Sequence, residues 1–484
     1  MNFKMVGKII SLILAVEAVF MVPALLFCLV DQESDTALAF VASIFLTLLV
    51  AVLLADGCRD AKKGFYAREG LVCVGVSWIV MSLLGCLPFY LSGQIPHFID
   101  ALFEIVSGFT TTGASILPDV ESLSRGILYW RSFSHWLGGM GVLVFLMAVV
   151  PVSGRNDGFT LHLLRAESPG PNVGKLVPRM KQTAAILYLI YILLTILDIV
   201  FLLLGGMPWF DSICTAFGTA GTGGFGIRND SIASYSPYLQ NVCTVFMLLF
   251  GVNFTCYYLL IMRCFRSVFK DEELRLYLGV VAGSIVLIVI NLHGVYATLG
   301  ETIRQAAFQV ASIVTTTGFA TTNFDLWPSF SKAILLCLMI IGACAGSTGG
   351  GIKCARILLL LKILRRNIRQ VLHPQKVQVI RVNGQVMDEL VLSNTNAYLS
   401  AYVIIVIISF VLISLDEFSI TTNLSAVLAC FNNIGPGLEA VGPASNYAAY
   451  SSFSKIVLIV DMLAGRLEIF PILTLFSRST WSRG

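Results

Sequence analysis

Ten apolar runs, each long enough to cross a bilayer as a helix, dominate this chain. They lie at about 9–30, 36–56, 70–92, 133–152, 183–206, 238–262, 276–297, 332–362, 397–415 and 454–477. A helix crosses the hydrocarbon layer with roughly 20 apolar residues. In lipid every backbone polar group must be satisfied internally, and a helix does this within a single segment. The runs therefore predict an all-α integral membrane fold with ten transmembrane helices. Only 12% of the 484 residues are charged, against about 25% in soluble proteins. That excludes a soluble enzyme, a disordered regulator and a fibrous protein. The net charge of +4 gives no reason to expect nucleic acid as a partner. The 12 cysteines are scattered singly, with no CxxC pair or Cys/His cluster, and read as small hydrophobes. Two lysines precede the first run as in a signal peptide. No A-x-A site follows and a second span begins at once, so the first run is expected to be retained.

Lysine and arginine orient the spans. Arg59, Lys62, Lys63 and Arg68 follow the second run, and Arg155, Arg165, Lys175, Arg179 and Lys181 follow the fourth. Arg263, Arg266, Lys270 and Arg275 follow the sixth, and Lys362, Arg365, Arg366, Arg369, Lys376 and Arg381 the eighth. The alternate loops carry only Arg125, Arg131, Arg228, Arg304, Lys332 and Lys455. Both termini are therefore expected on the basic, cytoplasmic side.

The outer loops after the third, fifth, seventh and ninth runs share a pattern. They read Asp100-ALFEIVSGFTTTG113, Asp211-SICTAFGTAGTGG224, Gln305-AAFQVASIVTTTG318 and Thr422-NLSAVLACFNNIG435. A polar or acidic starter lies 13 residues before a Gly each time. In three copies it is a plausible N-cap, Asp or Thr; Gln305 fits less well. Apolar segments this short read as re-entrant half-helices followed by an extended return. Irregular backbone survives at membrane depth only inside protein or along a water-filled cavity. The half-helix C-termini would favour a cation there. Glycine lets successive carbonyls face one axis, where rings of carbonyls replace an ion's hydration shell. Threonine hydroxyls before it add ligands or anchor the segment from behind. The candidate ion-binding residues are Thr111, Thr112 and Gly113; Thr222, Gly223 and Gly224; Thr316, Thr317 and Gly318; and Asn433, Ile434 and Gly435. Gly218 and Gly221 leave the register of the second copy open. A single TTTG reads as a surface loop; four copies between alternate spans imply one pseudo-fourfold pore built from spans 3–10.

With Thr110-Thr-Thr-Gly113, Thr222-Gly-Gly-Phe225, Thr315-Thr-Thr-Gly-Phe319, Asn432-Asn-Ile-Gly-Pro-Gly437, a broken eighth run and Gly465-Arg-Leu-Glu468, the whole chain resembles the TrkH branch of the Trk/Ktr/HKT superfamily of potassium uptake proteins. The two extra N-terminal spans match that branch. In this superfamily a glycine in all four filters goes with potassium and a serine in the first with sodium, so the resemblance implies potassium as substrate. It also implies a homodimer in the bacterial inner membrane, and a separate TrkA-type cytosolic nucleotide-binding ring docking on the basic loops. No cofactor is expected on this chain.

Charges inside the runs mark further candidates. Arg466 lies mid-run in IVLIVDMLAGRLEIFPILTLF, where a charge costs roughly 2.5–3.5 kcal/mol. It either faces the pore or pairs with Glu468 or Asp461, neither at the best i±4 spacing. The resemblance makes it an electrostatic barrier below the filter. Gly346, Ser347, Thr348, Gly349, Gly350 and Gly351 interrupt the eighth run. A phosphate loop needs Gly-Lys-Ser/Thr, and Ile352 follows Gly351 here, so the stretch reads as a hinged intramembrane loop. In the family that loop is the gate. Lys353 marks its cytoplasmic edge or is a plain anchor. Asp198 and Glu17 read as packing polar groups or proton relays. Glu104 either attracts cations or hydrogen-bonds behind the filter. His97, His135, His162, His293 and His373 form no cluster.

The expected organisation is an N-terminal two-helix unit (1–66) and four pore repeats (67–160, 161–270, 271–385 and 386–484). The membrane potential supplies about 2.3 kcal/mol per charge per 100 mV, enough for roughly 50-fold accumulation at 1.36 kcal/mol per tenfold. A sodium- or proton-coupled symporter with broken helices is the alternative. It would need inverted repeats and matching breaks, and only the eighth run is visibly broken. An intramembrane enzyme would need paired carboxylates or a Ser/His arrangement, and none is present.

Overall fold

The computed structural model describes residues 1–60, 66–141, 180–376 and 378–481. It is mostly helical. The main helices are α1 (Phe3–Val30), α2 (Ser34–Gly57), α3 (Ala67–Gly85), α4 (Phe98–Phe109), α5 (Arg125–Gly139), α6 (Met180–Leu204), α7 (Trp209–Gly221), α8 (Pro237–Phe250) and α9 (Phe254–Ile261). They continue as α10 (Glu272–Asn291), α11 (Leu299–Val314), α12 (Ser329–Ile341), α13 (Cys354–Leu372), α14 (Glu389–Ile413), α15 (Ile420–Phe431), α16 (Ser452–Arg466) and α17 (Phe470–Phe476). A two-stranded antiparallel hairpin, Arg381–Val382 with Gln385–Val386, joins α13 to α14.

Among the described residues six helices are long and apolar enough to cross a membrane: α1, α2, α3 with its short continuation, α6, α10 and α14. The sixth and tenth runs do not form the single spans expected of them, and the eighth is broken at Gly346–Gly351 as expected. The fourth is helical through Gly139, and residues 142–179 lie outside the described set. Lys62, Lys63, Arg155, Arg165, Lys175, Arg179 and His162 fall outside it too. The sixth is α8 and α9, bent by 89°. Asn253 causes the restart, because its side chain caps the new helix by accepting from the Thr255 N–H at 2.9 Å. The tenth breaks where Glu468 and Ile469 adopt positive φ (56° and 70°). Three runs are therefore broken rather than one, and the breaks in the sixth and tenth are hidden in the sequence because apolar composition continues through them.

Four shorter helices, α4, α7, α11 and α15, occupy the pattern segments. Their N-caps are His97, Pro208, Thr298 and Ser419. Asp100, Asp211 and Thr422 therefore lie inside the first turn rather than at the cap, and Gln305 lies further in. Asp100 and Asp211 complement the helix dipole there, and Asp100 also accepts from the buried Lys455 ammonium at 2.6 Å. α1 and α2 form a helical hairpin, and α1 packs on α3 and α5.

Candidate functional site

The four short helices end identically. In each, a backbone N–H reaches back five residues: Thr112 to Ser107, Gly223 to Gly218, Thr317 to Ser312 and Ile434 to Ala429, all at 2.8 Å. The preceding N–H reaches back three, at 3.0–3.2 Å. This is the Schellman closure, which requires a left-handed residue just past the helix and usually takes Gly there. Here that residue is Thr111 (φ 55°), Thr222 (54°), Thr316 (60°) or Asn433 (55°). A β-branched residue in this region is strained by about 1–3 kcal/mol, and such strain collects at functional sites. Two residues on stand Gly113 (φ 79°), Gly224 (76°), Gly318 (84°) and Gly435 (96°). Gly218 and Gly221 are helical, and the positive-φ glycine of the second copy is Gly224.

These glycines close a ring. A Cβ on Gly113 would collide with the Gly223 carbonyl oxygen, one on Gly224 with that of Thr317, one on Gly318 with that of Ile434, and one on Gly435 with that of Thr112. Each segment thus lays the carbonyl preceding its glycine against the glycine of its neighbour, in the order one, two, three, four, one. All four glycines line one cavity of about 130 Å³. The first-copy and third-copy threonines brace the ring from behind. Thr110 Oγ1 donates to Val106 O (2.7 Å) and Thr315 Oγ1 to Ala311 O (2.6 Å). Their hydroxyls also meet those of Thr112 and Thr317 at 2.7 and 2.8 Å.

Side chains on α5 tie the first segment to the second. Arg131, expected in an outer loop, is 2% exposed because α5 begins at Arg125, well before the apolar run. Its Nε donates to Glu104 Oε1 at 2.6 Å and its Nη1 to Gly226 O at 2.8 Å, with the guanidinium 3.6 Å from the Phe225 ring centroid. Glu104 also accepts from Ser115 Oγ and the Ile116 N–H, both at 3.0 Å, so it braces the return segment. One turn on, His135 lies between Gly108 O (2.8 Å from Nδ1) and the Phe225 N–H (3.2 Å from Nε2). Its position in the sequence gave no sign of this; the only hint is two polar residues spaced i, i+4 ahead of Gly138-Gly139.

The Gly346–Gly351 stretch lies against the ring. The Gly350 N–H donates to Thr316 Oγ1 at 2.7 Å, and a Cβ on Gly350 would meet Asn432 O at 2.5 Å. Thr348 Oγ1 donates to Phe250 O at 3.3 Å, Gly346 O accepts from the Phe254 N–H at 3.0 Å, and Ser347 Oγ donates to Cys344 O at 2.6 Å. Gly351 has φ 74° and packs on Gly342. Arg466 donates to Thr348 O (2.8 Å), Gly138 O (2.5 Å) and Gly139 O (2.6 Å). The loop is therefore held at one point by the third ring segment and at another by α16, and the breaks in the runs meet there. Glu468 pairs with Lys353 at 2.9 Å and with Arg356, and Asp461 accepts from Ser409 Oγ at 2.7 Å. Lys353 is thus an ion-pair member at the end of the loop. Asp198 and Glu17 are fully buried, with no hydrogen-bond partner to their carboxyl oxygens among the described residues.

The TrkH family model, described as a cation transport protein, matches residues 37–483. The chain is 36% identical to the Trk system potassium uptake protein TrkH of Salmonella typhimurium, covering 99% of this chain and 100% of that one. It is 34% identical to the Trk system potassium uptake protein TrkG of Escherichia coli, covering 90% and 91%. The crystal structure of the potassium transporter TrkH from Vibrio parahaemolyticus superposes with a TM-score of 0.88 at 32% identity, covering 100% of both chains. A chain matched end to end in sequence and fold in this way belongs to the TrkH family of cation transport proteins, a family of transporters and not of enzymes.

Proposed function

We propose that this protein takes up potassium across a bacterial plasma membrane through a filter formed by Gly113, Gly224, Gly318 and Gly435. The observation that carries the reading is the closed order of contacts, in which each glycine faces the carbonyl preceding the next. Carbonyls of Thr112, Gly223, Thr317 and Ile434 then replace the ion's water. The C-terminal ends of α4, α7, α11 and α15 abut the ring and add partial negative charge. Thr111, Thr222, Thr316 and Asn433 hold the left-handed turns that set the carbonyl direction. The N-terminal unit (1–66) lies outside four pore repeats with the boundaries given above, in ten spans with cytoplasmic termini.

Membrane potential drives the flow. The Gly346–Gly351 loop is the gate and Arg466 the barrier beneath the filter, its charge opposing a cation that arrives from above. A separate cytosolic nucleotide-binding ring sets the position of the loop by docking on the basic inner loops, and the chain works as a homodimer. The breaks in the sixth and tenth runs lend the sodium- or proton-coupled alternative one supporting feature. A reversal potential that follows potassium alone, with no response to sodium or pH, excludes it.

Rubidium flux into vesicles tests the filter. Gly113→Ser together with Gly318→Ser places two side chains where carbonyls now lie. Discrimination of rubidium against sodium is expected to collapse, and unchanged flux and discrimination would sink the reading.

A further inference from the structure

The seam between the first and second ring segments carries a buried ring that the two–three and four–one seams lack. Segments two and three meet through the Ser231 hydroxyl, which accepts from the Ala320 N–H at 3.2 Å, and through the Ile232 N–H on Ala320 O at 3.0 Å. Segments four and one meet through Tyr447, whose hydroxyl donates to Gly435 O and whose N–H donates to Ser115 O, both at 2.8 Å. The one–two seam is likewise bonded through its return segments, the Val120 N–H donating to Asn229 Oδ1 at 2.8 Å, and it runs in addition through an imidazole. His135 is fully buried, and its ring lies where a Cβ on Gly223 would stand. The Phe225 N–H can only donate and Gly108 O can only accept, so the neutral ring must carry its proton on Nδ1 and present a bare Nε2. The imidazole therefore sets the separation between the C-terminal end of α4 and the backbone that follows Gly224.

We infer that His135 is a positioning residue for ion selectivity, acting through its Nε2 acceptor on the Phe225 N–H. The inference rests on the reading of the four glycines as a filter. Gly223 supplies the carbonyl that faces Gly113, and Phe225 directly follows Gly224. A loose Phe225 N–H lets that strand drift by tenths of an ångström, the scale on which carbonyl cages separate a larger monovalent cation from a smaller one. Arg131, one turn away, grips the same strand at Gly226 O and over the Phe225 ring. The strand thus stays roughly in place when His135 changes, and the effect falls on its fine position.

Two substitutions divide the ring into its halves. His135→Asn places an amide near the Nδ1 position, keeping a donor for Gly108 O and leaving the Phe225 N–H without its partner. His135→Gln places an amide near the Nε2 position, keeping an acceptor for Phe225 and leaving Gly108 O bare. Each purified full-length variant is reconstituted in vesicles, and rubidium and sodium fluxes are measured beside the Gly113→Ser, Gly318→Ser double variant. The expected result is that His135→Asn lowers the rubidium-to-sodium ratio by about tenfold, while His135→Gln stays within about twofold of the parent ratio. The inference is overturned if both variants keep the parent ratio, or if both lower it equally, which is the mark of a merely structural histidine. Failure of the filter reading looks different, since the glycine double variant would then keep its ratio as well. If His135→Asn does not fold, His135→Gln against His135→Met decides by the same ratio, because Met keeps the bulk without a strong acceptor.

Discussion

Thr316→Val tests whether the intramembrane loop is latched to the ring. The substitution keeps the shape and the β-branch, so the strain of the left-handed turn at φ 60° is unchanged. What is lost is the hydroxyl that accepts from the buried Gly350 N–H at 2.7 Å. A buried donor left without a partner costs about 1–3 kcal/mol. That cost falls only on the state in which the loop lies against the ring, since a displaced loop lets water reach the N–H. At 1.4 kcal/mol per tenfold, the equilibrium moves toward the displaced loop by about 5- to 150-fold. Rubidium flux into vesicles holding the purified chain alone, with no cytosolic partner, should rise accordingly while the rubidium-to-sodium ratio holds. Thr111→Val is the control: its hydroxyl has no hydrogen-bond partner among the described residues, and its flux should stay within about twofold of the parent. A Thr316→Val flux equal to that of the control at equal protein would refute the latch. A rise accompanied by lost discrimination would place the effect in the filter rather than the loop.

Three other perturbations follow from the same geometry. Arg466→Ala removes the donors to Thr348 O, Gly138 O and Gly139 O together with the charge, so vesicle flux should rise; unchanged flux in a well-expressed variant would leave Arg466 a purely structural role. Arg131→Met strands the Glu104 carboxylate, fully buried in the parent chain, at a cost of about 3–5 kcal/mol. Melting followed by size-exclusion fluorescence should fall sharply, and the Arg131→Met, Glu104→Leu pair should recover much of the loss; equal melting of single and double variants would argue against a buried pair. At the exposed start of α15, hydrogen bonds from the Ser419 and Thr422 hydroxyls hold the Glu439 carboxylate below its ordinary 4.5. A lowered folded value means the stabilisation is present above about pH 4.5 and lost as pH falls through the folded value. Protection from hydrogen exchange at the start of α15, taken relative to the intrinsic exchange rate at each pH, should therefore fall on acidification, and Glu439→Gln should abolish that fall.

The glycine register was legible because its cause is local. A Schellman turn is closed by bonds spanning three to five residues, so Thr-Thr-Gly after a short apolar run carries its own geometry. Even the irregular second copy settles on Gly224, because Gly218 and Gly221 are spent inside α7. The loop at Gly346–Gly351 was legible for a similar reason, since six residues poor in side chain cannot propagate a helix between apolar flanks. The other breaks were not, because α8–α9 and α16–α17 are apolar on both sides and the interruptions rest on a single cap at Asn253 and on two strained residues, Glu468 and Ile469. Composition measures hydropathy and does not register a 89° bend.

What the chain alone specified was the set of segments: apolar runs for lipid, basic loops for one side, and four helix–turn–glycine units whose shape is encoded within a few residues. What only the folded molecule decided was how distant segments meet. By sequence Arg131 falls in a loop; in the fold it is a buried partner of Glu104, because α5 starts before its apolar run does. His135 forms no motif with any other histidine and is the link between Gly108 and Phe225, the latter 90 residues further along the chain than His135 itself. Arg466 had two acidic neighbours in sequence and instead caps carbonyls of Gly138, Gly139 and Thr348. The reason is common to all three. A helix end or a turn is satisfied by bonds to its own neighbours, whereas a polar group in a low-dielectric interior takes whatever partner the packing brings to it, and that choice is made only when the ring closes.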